Sequence, residues 1–136
     1  MKRILVLSDS HSGNSFMRWC VDTVKPDAIV HLGDYYEDGL DLHEEYPMIP
    51  FYQVPGNCDR YRAPAHASEI LIQPIFGVEL YMTHGHKHRV KSTLALLTAA
   101  VFIAREKLQP KKCGVLLVFN SGEEGLGNLK GSRKIM

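Results

Sequence analysis

The sequence predicts an α/β layered sandwich, and three observations carry that prediction. Short apolar runs rich in β-formers alternate with an amphipathic helical stretch. Each early run ends in a small polar cluster, the pattern of a mostly parallel sheet with polar loops at its strand ends. The chain has 136 residues, enough to bury one core without disulfides or a structural metal. A single domain over residues 1–136 is the expected organisation.

The elements follow in order. Ile4 to Leu7 is a continuous apolar run bounded by polar residues, as a strand covered on both faces requires. From Asn14 to Val24, the residues Phe16, Met17, Cys20, Val21 and Val24 recur at helical spacing, and Lys25-Pro26 stops the helix. Trp19 falls at the edge of its polar side and reads as a surface or interface residue. A second strand, Ala28 to Leu32, runs into Gly33-Asp34, with His31 inside it as a packed histidine. Residues 35–49 read as a polar, acidic connection, and Pro50 to Val54 as a third strand ending in PGNCD. Ile70 to Phe76 and Val78 to Thr83 flank Gly77 and predict a hairpin that delivers THGH at its end. Beyond it, residues 92–107 are rich in Ala and Leu and predict a helix. Val115 to Phe119 predicts another buried strand, followed by a Gly-rich, charged tail.

Composition narrows the function classes. The net charge is +1 and no basic run is long, so neither nucleic acid nor an anionic membrane surface is an expected partner. No apolar stretch approaches the length of a transmembrane helix. Cys20, Cys58 and Cys113 are odd in number and widely spaced, which fits a reducing compartment, with the cytoplasm as the expected location. The sequence leaves the oligomeric state open.

Chemistry concentrates in four polar clusters, each directly after an apolar run: DSH with Asp9 and His11, GD with Asp34, GNCD with Asn57 and Asp59, and THGH with His84 and His86. Any one of these alone is an ordinary turn or helix cap. Loops at the C-terminal ends of adjacent strands meet in space, however, and together these supply carboxylate, imidazole and amide oxygen, a mixture suited to two divalent ions. In MTHGHKHRV, His84, His86 and His88 occupy alternate positions and would share one face of an extended strand.

The order D-x-H, GD, GN-x-D, THGH resembles the calcineurin-like metallophosphoesterases, most closely their small bacterial and archaeal phosphodiesterase branch, over residues 1–91. The resemblance implies a sandwich of that family's type and hydrolysis of a small phosphoester. It implies Asp9 and His11 as ligands of a first metal, Asp34 as the bridge, and Asn57 and His84 as ligands of a second. A hydroxide bridging the two ions would attack phosphorus in line. Manganese is the expected metal, with Fe²⁺, Ni²⁺ and Zn²⁺ as alternatives. Asp34, Asn57 and His84 are thereby the expected catalytic residues, and Asp59, Arg60 and His86 are assigned to substrate. Arg62 shares with Arg60 the geometry suited to a phosphate oxygen, and Tyr35, Tyr36 and Asp38 are candidates to line the pocket.

The family pattern also contains a later G-H-x-H, and no histidine follows His88, so the fold is expected to be incomplete in its C-terminal half and hydrolysis to be slow. The alternative function is a non-catalytic metal-binding or scaffold protein of the same fold. The segment 93–136 is similar instead to a fragment of the di-zinc aminopeptidases and carboxypeptidases, whose G-E-E motif would correspond to Glu123 and Glu124. Its H-x-D and aspartate companions are absent from the sequence, so the two glutamates are expected to be inert.

Overall fold

A computed structural model describes residues 2–89; the expected helix at 92–107, the expected strand at Val115 to Phe119 and the G-E-E loop lie outside them. In chain order the described residues form β1 (Ile4–Leu7), α1 (Asn14–Val24), β2 (Ala28–His31), α2 (Tyr36–Glu45), β3 (Phe51–Gln53), β4 (Ile70–Ile75) and β5 (Val78–Thr83). Two single 3-10 turns, Asn57–Asp59 and His86–His88, follow β3 and β5.

β1, β2 and β3 make a parallel sheet in that spatial order, with Ile4 opposite Ala28 and His31 opposite Gln53. The connections between them are α1 and α2, as parallel neighbours require a crossover rather than a tight turn. β4 and β5 pair antiparallel as a separate hairpin. Its two-residue loop, Phe76-Gly77, has φ of +51° and +82°, the positive values that match a hairpin loop to the twist of its strands.

Period-two alternation divides the core into two. Ala28, Val30 and Val54 face the hairpin and pack on Ile75 and Met82. Ile29 faces the opposite way, toward Met17 and Val21 of α1 and Leu42 of α2. The result is three layers, helices on sheet on hairpin, and all four residues of β2 are buried because both faces are covered.

α2 is a correction to the sequence reading, which took residues 35–49 as a connection. Leu42 is its one buried large apolar side chain, beside Asp38 and Gly39, so the segment has almost no apolar stripe to read. Glu37 and Asp38 in its first turn favour the positive end of the helix dipole. α1 also departs from its pattern: Met17 and Val21 are buried, but Phe16 is 65% exposed and stacks on Trp19, itself 59% exposed. Trp19 is therefore on the surface.

His31 is fully buried on the helix side of β2, and neither ring nitrogen has a hydrogen-bond partner among the described residues. Both amide atoms of Gln53, its neighbour in register, are unpartnered as well. α2 crosses this polar pair through Gly39, where a Cβ would lie 3.4 Å from His31 Cγ and would strike the Gln53 amide.

Burial pushes the His31 pKa below its ordinary value, against the pull of Asp59, Asp38 and Asp9. Between the lowered folded value and the unfolded value of about 6.5, the unfolded chain binds more protons. Stability should therefore be complete above about pH 6.5 and fall as the solution is acidified below it. Urea unfolding at several pH values should show this decline in the wild type and a flatter profile in His31→Leu; equal slopes would remove His31 as the cause.

Candidate metal centre

The ends of β1, β2 and β3 and the end of β5 meet at one place because the backbone is forced to. Asp9 N–H donates to the Gly33 carbonyl at 2.9 Å, carrying the β1–β2 pairing past the strands into the loops. Gly33 (φ +100°) lies so close to Gly56 that a Cβ on it would sit 2.7 Å from the Gly56 Cα. A Cβ on Gly56 would in turn lie 2.5 Å from the Asp34 nitrogen. Only glycine fits at both positions.

Asp59 locks this junction. Its carboxylate is 1% exposed and accepts three backbone N–H bonds, from Asp34 at 2.9 Å, Tyr36 at 2.9 Å and Gly56 at 2.7 Å. The assignment of Asp59 to substrate is thereby corrected, because a carboxylate enclosed by three peptide groups has no edge to turn toward a ligand. A second buried acid, Asp38, accepts from Ser10 Oγ and from Ser12 N–H, each at 2.7 Å, and ties the loop after β1 to the start of α2. It is 7% exposed and braces the loop rather than lining a pocket.

Five non-glycine residues in these two loops have left-handed backbones: Asp9 (φ +55°), His11 (+45°), Ser12 (+66°), Asp34 (+59°) and Tyr35 (+67°). Such residues each cost on the order of 1–3 kcal/mol and persist where the surroundings over-determine them, most often at functional sites. Here they bring Asp9, His11 and Asp34 together, with one ligand atom from each lying within 4.8 Å of the others.

Asp34 is wholly buried and its two oxygens differ. Oδ1 accepts from Cys58 N–H at 2.9 Å, whereas Oδ2 has no hydrogen-bond partner. The hairpin brings His84 to the same side. Its Nδ1 donates to the Leu32 carbonyl at 2.9 Å, so Nε2 is the nitrogen presented to Asn57 Oδ1 at 3.1 Å and Asp34 Oδ2 at 3.7 Å. Three lone-pair atoms facing one another repel until a proton or a cation sits among them. One of the three, Asp34 Oδ2, is a buried carboxylate oxygen without a hydrogen bond, and this donor set fits a divalent ion. The Nδ1 bond to a carbonyl is also the outer bond that metal-ligating histidines ordinarily make.

The other candidates divide. His86 lies with its ring 5.4 Å from that of His84, half-buried, and its Nδ1 is unpartnered. Burial, then the neighbouring His84, pushes its pKa below the ordinary value. His88 turns away to Tyr81, 3.2 Å from the hydroxyl. The three histidines do not share a face, because β5 ends at Thr83 and His86–His88 is a 3-10 turn rather than extended chain. Arg60 is exposed and lies over the ring of Tyr61. Arg62 lies over the ring of Tyr35 and bonds Glu37. The sequence reading missed the bracing roles of Asp59 and Asp38; the signal for Asp59 was its place in the short turn that follows Gly56.

Asp59→Asn retains the shape but replaces a charged acceptor with a half-amide that must point a donor at peptide N–H groups. It should cost about 1.5–3 kcal/mol, the range for a buried charged hydrogen-bond acceptor. Metal uptake should weaken as well, through the freed Asp34 backbone. Denaturant titration and metal analysis of the same preparation check both, and a variant as stable as the wild type would rule out the locking role.

Comparison with known proteins agrees with this geometry. The solved structure of a conserved protein from Streptococcus pneumoniae TIGR4, described as a predicted phosphoesterase, superposes with a TM-score of 0.54 at 26% identity. The match covers 78% of this chain and 56% of that one, so this chain spans little more than half of the solved relative. A probable metallophosphoesterase of Mycoplasma pneumoniae is 25% identical over 138 residues, covering 99% of this chain and 77% of its own length. Residues 1–126 match the model of the calcineurin-like phosphoesterase superfamily domain, and the chain belongs to that family.

Proposed function

We propose that this chain hydrolyses small phosphodiesters with two divalent ions, manganese first among them, held by Asp9, His11, Asp34, Asn57 and His84. The observation that carries the reading is Asp34, whose Oδ2 is a fully buried carboxylate oxygen without a hydrogen bond, 3.7 Å from His84 Nε2, and which also offers a ligand atom within 4.8 Å of those of Asp9 and His11. Asp34 is the one side chain common to both groups of donors, which supports its role as the bridge. When bound, such ions supply positive charge to the phosphate oxygens and lower the pKa of a coordinated water.

The chain's own residues do the rest. Asp59 and the Gly33–Gly56 contact hold Asp34 without touching a ligand. The Leu32 carbonyl sets the tautomer of His84. In this reading His86, half-buried next to His84, donates a hydrogen bond to a phosphoester oxygen. No helix among the described residues is long and apolar enough to cross a membrane, and the substrate in this reading is a small molecule.

A second reading is a non-catalytic protein with one metal. It is favoured by the fact that, among the described residues, a single set of three His, Cys, Asp or Glu donors, Asp9, His11 and Asp34, comes within 4.8 Å of one another.

Metal stoichiometry separates the two. The wild type should take up two Mn²⁺ ions and hydrolyse a bis-nitrophenyl phosphodiester, whereas Asp34→Asn should lose both the metal and the turnover. The loss should be at least about 10 to 100-fold, the range for removing even a supporting group around a metal. One bound ion with no hydrolysis would favour the second reading; unchanged metal content in Asp34→Asn would sink both.

A further inference from the structure

A line of planar groups runs outward from the metal cluster. His11, exposed, meets the ring of Tyr35 edge-on, with centroids 4.9 Å apart and planes at 65°. The Arg62 guanidinium lies over the Tyr35 ring at 4.5 Å from its centroid. One end of this line is a candidate metal ligand. The other is an arginine whose side chain is 44% exposed.

The arrangement is held in place rather than left to chance. Tyr35 follows directly on Asp34, and both have left-handed backbones, φ +67° and +59°. The next peptide, Tyr36 N–H, is held by Asp59, and Arg62 N–H donates to the Asp59 carbonyl at 2.9 Å. The residue that locks Asp34 thus anchors both partners of the stack. A bulky side chain in a left-handed conformation is a backbone cost that ordinary surface packing does not require.

The charge of Arg62 is already engaged. Its Nη1 bonds Glu37 at 3.3 Å, so the guanidinium is partly neutralised along its edge. Besides its remaining N–H donors, it offers a ligand the face opposite Tyr35. A guanidinium plane is weakly hydrated and stacks well on aromatic rings, and the Tyr35 ring backs this one from one side. An anion would be better served by an unpaired arginine; a flat, uncharged ring is better served by this one.

We propose that Tyr35 and Arg62 form a stacking platform beside the metal centre, and that the ester they select carries a planar aromatic group on its phosphate. The proposal rests on the phosphoesterase reading above. The phosphate occupies the metal side of the platform, next to His11, and the ring lies along Arg62. Tyr35 and Arg62 are specificity-determining residues in this arrangement and take no part in bond breaking.

The test measures binding on the Mn²⁺-loaded protein by calorimetric titration with inorganic phosphate, methyl phosphate and phenyl phosphate. The wild type should bind phenyl phosphate about five- to tenfold more tightly than methyl phosphate, the scale of one partly exposed stacking contact. Arg62→Lys keeps the positive charge and removes the plane, and Tyr35→Leu removes the backing ring; each should bring that ratio to within about twofold. The exposed position of Arg62 keeps the test open if Tyr35→Leu fails to fold. A wild type that binds inorganic phosphate but shows no preference for the phenyl ester overturns the platform alone. A preference that survives in Arg62→Lys also overturns it, since the guanidinium plane would then not be its cause. A metal-loaded wild type that binds none of the three overturns the phosphoesterase reading together with the platform.

Discussion

One buried carboxylate sets the geometry on which the site depends. Asp59 gathers peptide N–H groups from the end of β2, the start of α2 and the turn after β3, three segments that share no strand pairing at that point. Bonds to an ionised acceptor are roughly twice as strong as neutral ones, and breaking them would strand peptide groups in a dry interior. The parallel sheet brings the strand ends near one another. Asp59 converts that nearness into a fixed relation between Asp34 and the loop that carries Asn57. The glycine contact beneath it allows the two loops to approach closely enough for a single side chain to span them.

The same region is rich in negative charge. Asp34, Asp38 and Asp59 are all buried, Asp9 is close by, and the one buried histidine, His31, is pushed by its burial toward the neutral form. Hydrogen bonds satisfy Asp38 and Asp59 through hydroxyl and peptide donors, which spread the charge without cancelling it. Asp34 Oδ2 is left with the attraction of that whole field for a cation and with no donor of its own. An apolar core of this size would gain nothing from such an arrangement. Its stability is linked to whatever binds there, since a ligand of the folded state alone deepens the folded well.

Much of this was legible in the residues, for physical reasons that also explain what was not. β1, α1, β2 and the β4–β5 hairpin were announced by apolar periodicity and by Gly77, features set by short-range chemistry. The convergence of the loops after β1, β2 and β3 followed from the rule that parallel strand ends lie together, whereas His84 arrives from the antiparallel hairpin, which that rule does not cover. α2 was hidden because its stability comes from Leu42 and from the close approach at Gly39, neither of which produces a stripe. Asp59 was read as a residue facing substrate because an aspartate two places after Asn57 looks the same whether its carboxylate points out or in. The direction is decided by peptide groups more than twenty residues away. The shared face of His84, His86 and His88 holds only for an extended chain, and β5 ends before the first of them.

The Gly33–Gly56 contact also bears on how lesions in this molecule would be classified. Neither residue carries a functional group, and each would be displaced by a single methyl. Under the phosphoesterase reading proposed above, a genetic screen scored on loss of activity would rank such substitutions alongside changes to Asp34 or His84, and a map drawn from that screen would enlarge the apparent active site to include its scaffold. Genetic importance and chemical participation part company here. The boundary between them runs through the space where a Cβ would be.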